Sequence, residues 1–246
     1  MPDAFFFLPF SFFFAMAREP TNAPVHLRPH LPVAERVIVA GDPARAMRLA
    51  QELIDGPKML NHARGLWGYA GPAADGAPLT IQATGVGGPS AAVVVDELIG
   101  LGARRIVRAG SATALVGALR LGDLVAARPV LARDGTSRAL GGAPELYGDA
   151  ELTAALAAAA TAIGPILSSD RFHGEAGGER ADGALARDMQ TAAVLAAAAR
   201  RGVPAAAVLL VTQDAAGARL DGEQLYAAEA TLGHAAAAAL GLGLRV

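Results

Sequence analysis

Three arginines in this chain stand beside glycine-containing turns. Arg45 follows Gly41-Asp42-Pro43, which interrupts an apolar run. Arg64 sits in NHARGLWGYAG (61–71). Arg108 precedes AGSA, with Ser111 three residues on. Arginine offers a planar fork of donors that matches a phosphate, and a serine hydroxyl with exposed backbone N–H groups completes an anion cradle. One such arginine is ordinarily a surface ion pair. Three beside turns make a candidate site for a single anion, built from Gly41, Arg45, Arg64, Arg108 and Ser111. GVGGPS (85–90) adds a further glycine turn, which taken alone is only a tight connection. Neither GxxxxGK[ST] nor GxGxxG occurs, so the usual triphosphate and dinucleotide loops lose support. The chain has no cysteine, and its five histidines show neither HExxH nor paired spacing, so no metal is expected.

Strand-like and helix-like segments alternate around these residues, which predicts an α/β domain. Strands are expected at 36–40, 79–85, 104–110, 123–132, 165–170 and 205–214. Helices are expected at about 43–54, from 89 to Gly100 or Gly102, and at 150–164, 188–202 and 221–241. The arginines then fall at or near the carboxyl ends of strands, where open α/β sheets bind ligands. The glycine-rich stretch 173–183 reads as a loop of the kind that covers sites.

With 246 residues, 53% of them apolar, the chain can build one sizeable core. A net charge of −2 gives no global basic field for nucleic acid or an anionic membrane. Residues 5–16, FFFLPFSFFFAM, have only Asp3 as a charge before them and are too short to span a bilayer. Residues 1–23 are therefore read as an apolar extension, either a false start before Met16 or a disordered, partner-binding or targeting segment. Residues 24–246 are read as one domain. Without a credible export signal, the cytoplasm is the expected compartment.

GDPAR, NHARGLWGYAG, ATGVGGPSAAVVVDELIGLGARRIVRAGSA, LGDLV, SSDRF and DMQTAA occur in the order seen in the hexameric nucleoside phosphorylases. The chain resembles that family, which includes bacterial purine nucleoside and uridine phosphorylases, from about Pro24 to its C-terminus. The resemblance implies a single-domain, three-layer α/β/α fold with a mixed central sheet. It implies phosphate-dependent cleavage of a nucleoside to free base and (deoxy)ribose 1-phosphate, with inorganic phosphate as co-substrate and no other cofactor. Gly41, Arg45, Arg64, Arg108 and Ser111 would bind the phosphate. Met189 would pack on the ribose, Gln190 would take its hydroxyls, and Phe172 would stack near the base. His26 would reach a neighbour's site within a dimer unit of a hexamer.

Departures from the family pattern concentrate on the nucleoside side. Gln190 stands where the family has glutamate, so with a competent proton donor near the base Gln190→Glu is expected to raise kcat/KM about tenfold, and if Gln213 has removed that donor the further change Gln213→Asp is needed. The late-strand aspartate that protonates a purine aligns with Gln213, or after a one-residue shift with Asp214. Thr113 replaces a glycine. Arg180 and Asp182 match the uracil-reading signature only in part. Purine is favoured over uridine, and a degenerate member that keeps the phosphate pocket but turns over little is the alternative. Other polar residues have plainer readings: Asp42 as a helix cap, Glu97 and His234 as structural groups, His30 and His62 in loops, and Trp67 in core or interface.

Overall fold

The computed structural model describes residues 24–171 and 183–241. Phe172, Arg180, Asp182 and the apolar run at 5–16 lie outside the described residues. In chain order the elements are β1 (Arg36–Ala40), α1 (Pro43–Leu53), β2 (Lys58–Asn61), β3 (Gly68–Pro72), β4 (Pro78–Ala83), α2 (Gly87–Gly100), β5 (Arg105–Ala114) and β6 (Leu124–Arg133). There follow α3 (Gly135–Ala139), β7 (Glu145–Leu146), α4 (Ala150–Ala159), β8 (Ala162–Ser169), β9 (Ala186–Asp188), α5 (Thr191–Arg200), β10 (Ala205–Gln213) and α6 (Gly222–Ala239).

The sheet is mixed, as expected. β1 pairs in parallel with β4 and β5, while β2, β3 and β4 form an antiparallel edge. β10 pairs in parallel with β5 and antiparallel with β6. β6–β8–β9–β5 supplies the remaining links, so five strands close into a ring. Local sequence carries no signal for that closure, because it depends on one strand finding two distant partners.

Two apolar cores flank the sheet. α2 and α5 cover one face with Val94, Val95, Leu98, Val194 and Leu195. α1, α4 and α6 cover the other with Leu49, Leu53, Leu152, Leu156 and Leu232. That arrangement gives the three layers. Among the described residues, no helix is long and apolar enough to cross a membrane.

Several boundaries differ from expectation. The helix expected at 150–164 ends at Ala159, and β8 begins at Ala162. Asp149 sets its start by accepting the Leu152 N–H at 3.0 Å. Its end is illegible in an alanine-rich run, since alanine favours helix and the pairing of β8 with β6 overrides that local preference. The expected start at 188 belongs instead to β9, with α5 opening at Thr191. β2, β3, β7 and α3 escaped prediction because they are short, and β3 is interrupted by glycine and proline.

Candidate functional site

A cavity of about 510 Å³ opens at the carboxyl ends of β1, β4, β5 and β10. Gly41 follows β1, Gly85 follows β4, and Ser111 and Thr212 come from β5 and β10. The N-terminal ends of three helices also line it: Asp42 and Pro43 of α1, Val86 and Gly87 of α2, and Gln190 of α5. The positive end of each helix dipole favours an anion there. Asp42 caps α1 as expected, accepting from Ala44 N at 2.9 Å and Arg45 N at 3.3 Å. Neither the N-cap of α2 nor that of α5 makes a side-chain cap bond.

Two glycines let backbone approach closely. A Cβ on Gly41 would lie 3.3 Å from Gln190 Oε1 and 3.4 Å from Gly85 O. Gly85 has φ +72°, where a side chain is strained, and a Cβ there would lie 2.7 Å from Ser90 Oγ.

Arg45 is buried and held at two points. Its Nε donates to Glu229 at 2.8 Å, and its Nη2 donates to Ser111 Oγ at 2.7 Å. Arg108 is enclosed more completely. Nε donates to Thr191 Oγ1 at 3.1 Å, Nη1 to Gln190 Oε1 at 2.7 Å and Nη2 to Asp188 Oδ2 at 2.9 Å. Burial pushes its pKa below the ordinary arginine value, the charge of Asp188 opposes that shift, and the nearby Arg45 cation adds to it.

Asp188 Oδ2 also accepts from Gln190 N, Thr191 N and the Thr191 hydroxyl. Its Oδ1 is buried without a hydrogen-bond partner among the described residues. Gln190 is occupied at both ends of its amide. Oε1 receives Arg108 and lies 3.1 Å from the Thr84 hydroxyl, while Nε2 donates to Gly85 O at 2.7 Å and Gly87 O at 3.2 Å. The arginine donor fixes which end is oxygen.

The structure brings Gly41, Arg45, Arg108, Ser111, Met189 and Gln190 to one cavity. Arg64 does not join them within the chain. It is exposed, in the left-handed region at φ 57°, in the short turn Ala63–Gly65. His26 also lies off the cavity, with Nδ1 2.8 Å from Glu97. Glu97 therefore serves the N-terminal segment and no arginine of the cavity. Its carboxylate accepts the Val25, His26 and Leu27 N–H groups at 2.7–3.1 Å.

Gln213 and Asp214 lie beside the cavity, outside its lining. Gln213 Oε1 is 3.3 Å from Thr113 Oγ1, and the Asp214 carboxylate accepts Ala216 N at 3.0 Å and Ala218 N at 2.8 Å. Both bonds engage Oδ1 and tie that oxygen to the turn that follows β10. His234 is structural, 2.7 Å from Glu52, and Trp67 is 37% exposed.

Sequence reasoning missed Arg171 and Arg187, which line the cavity, and Glu229, which holds Arg45. Glu229 had a readable signal. It falls on the stripe Leu225, Glu229, Leu232, Ala236 of α6, a charge at an apolar helical position.

A family model described as the phosphorylase superfamily matches residues 35–246. The chain is 34% identical over 200 residues to the guanosine phosphorylase of Halorubrum lacusprofundi, covering 75% of this chain and 82% of that protein. It is 30% identical over 193 residues to a DeoD-type purine nucleoside phosphorylase of Clostridium perfringens, covering 73% and 82%. The structure of a uridine phosphorylase from Vibrio fischeri superposes with a TM-score of 0.71 at 26% identity, covering 85% of this chain and 90% of that one.

Proposed function

Because the chain belongs to the phosphorylase superfamily and is a nucleoside phosphorylase family enzyme, we propose that its cavity holds inorganic phosphate against the sugar of a purine nucleoside. A phosphate oxygen attacks C1′, the C1′–N bond breaks, and the base leaves with the electron pair. The products are the free base and (deoxy)ribose 1-phosphate. One observation carries the reading: Arg45, Arg108 and Ser111 open onto the same cavity as three helix N-termini. Holding a dianion beside a sugar that gains positive charge needs positioning and electrostatics above all. Met189, half-buried in the lining, suits the apolar ribose face.

The preference for purine over uridine rests on the stretch RGLWGYAG and on the likeness to a guanosine phosphorylase. His26 and Arg64 enter the site from a neighbouring copy, the basic unit being a dimer within a hexamer. Both lie off the cavity on one side of the molecule. Arg28 N donates to Asn61 Oδ1 at 2.8 Å, and the His30 and His62 rings stack at 5.5 Å, which ties the N-terminal segment to the turn that carries Arg64. Val25, Met59 and Trp67 expose apolar surface on these same segments.

The test is base release from guanosine, inosine and uridine with and without phosphate. Release from guanosine or inosine faster than from uridine, and only with phosphate, is expected. Faster release from uridine would reverse the base assignment, and release without phosphate would replace phosphorolysis by hydrolysis. A second reading, a ligand-binding member with little turnover, is favoured by the internal bonds of Gln190 and Asp214. Phosphate and nucleoside binding without base release would select it.

A further inference from the structure

Glu229 lies outside the cavity on α6, with its side chain 1% exposed. Its two oxygens serve two arginines of α1. Oε1 accepts from Arg45 Nε at 2.8 Å and Oε2 from Arg48 Nε at 2.5 Å. Arg48 is fastened on its outer side as well, stacked 4.7 Å above the Tyr226 ring and 3.6 Å from Asp42. Arg45 is thus clamped between Glu229 of α6 and Ser111 of β5. We propose that Glu229 is a positioning residue for the co-substrate anion, fixing the plane of the Arg45 guanidinium so that its remaining N–H donors face the cavity. This inference rests on reading the cavity as a phosphate site.

The arrangement works only for a carboxylate. Both acceptor atoms face N–H donors, and an amide could accept from one arginine while turning its NH₂ group against the other. Arg45 draws on only part of the Glu229 charge, since Arg48 shares that carboxylate and is itself also 3.6 Å from Asp42. A simple pin between α1 and α6 would need neither the split between two arginines nor the second hold on Arg45 at Ser111.

The experiment measures inorganic phosphate binding by calorimetry, together with KM for phosphate and for nucleoside, on the full chain. Glu229→Gln is expected to weaken phosphate about tenfold, the scale of one charge-assisted hydrogen bond. The nucleoside KM should move less than about twofold. In the charge-balanced double variant Glu229→Gln, Arg48→Met, a single donor faces the amide oxygen. Phosphate binding should return to within about threefold of wild type. Equal loss for phosphate and nucleoside, or no change for either, overturns the proposal. So does a folded double variant that stays about tenfold weaker than wild type for phosphate, and that arm, read against wild type, decides the matter even if Glu229→Gln alone does not fold. Wild-type protein that binds no phosphate would overturn the functional reading too. Wild-type binding that Glu229→Gln leaves unaltered would overturn this inference alone.

Discussion

The two arginines that face the cavity are held by walls of different character. On the α1 side, Arg45 spends Nε on Glu229 and one Nη on Ser111, and keeps further donors for a ligand. On the α5 side, Arg108 has all three nitrogens engaged by Thr191, Gln190 and Asp188. The first wall leaves more of its donors for a ligand. The second turns three of the five Arg108 N–H groups inward, with the charge paired to Asp188. Similar residue types therefore imply different consequences when removed: loss of binding on one side, loss of fold on the other.

The largest effect is expected at Arg108. Arg108→Ala strips the partner from a buried carboxylate, and leaving such a charge uncompensated costs about 3–5 kcal/mol. Thermal melting should show a large loss of stability or no folded protein. Arg45→Ala should instead leave the fold in place, because Arg48 still pairs with Glu229. Its phosphate-dependent kcat should fall about 100- to 1,000-fold, the usual cost of one preorganised donor. An Arg45→Ala protein that unfolds while Arg108→Ala melts normally would invert the comparison.

Gln190 sharpens it. The resemblance leads to an expected gain for Gln190→Glu, whereas the geometry argues for a loss. Nε2 lies against two carbonyl oxygens, and a carboxylate oxygen placed there would repel both. It would also set a second buried carboxylate beside Asp188. An unsatisfied buried group costs about 1–3 kcal/mol, and more when charged. Gln190→Glu should lower the melting temperature and leave kcat/KM at or below wild type. A tenfold rise would show that the amide clasp opens when nucleoside binds.

Asp214 should matter less. Asn at this position keeps one acceptor oxygen for the turn, so Asp214→Asn should change base release by less than about threefold. If Asp214 protonated the leaving base, removing its acid function would cost about 100-fold or more. Rates of purine release by the two proteins decide between those outcomes.

The part of the cavity that holds Gly41, Arg45, Arg108 and Ser111 was readable because it is made of short local units. A strand, a glycine turn and an arginine occur together in GDPAR, and again around Arg108 and Ser111. Asp42 was readable as a cap for the same reason. Glu229 and Arg45 are 184 residues apart, and Gln190 meets Gly85 across 105 residues. Such pairings depend on how the helices pack over the closed ring. Arg64 reads like the other arginines in sequence, yet the β2–β3 edge carries it to an outer face. Where sequence showed which residues could bind an anion, packing decided which of them retained free donors.

The smallest expected effect lies at that outer face and concerns acid. The Glu97 carboxylate is pulled in two directions. Burial raises its pKa, while the N–H groups of Leu27, His26 and Val25 and the His26 ring lower it, and these bonds prevail, leaving it below the ordinary value of 4.5. A carboxyl with a depressed folded-state pKa stabilises the structure above its unfolded pKa. That contribution fades as pH falls from there through the folded-state value. Residues 25–27 should therefore stay protected from amide exchange from neutrality down to about the ordinary carboxyl range, then lose protection on further acidification. Glu97→Gln should lower the protection of 25–27 at neutral pH and flatten its response to acid. If protection factors, corrected for intrinsic exchange, fell between pH 7 and 6, another group would govern this segment. An outer face that His26 and Arg64 share would then respond to pH in a range where the Glu97 carboxylate does not titrate.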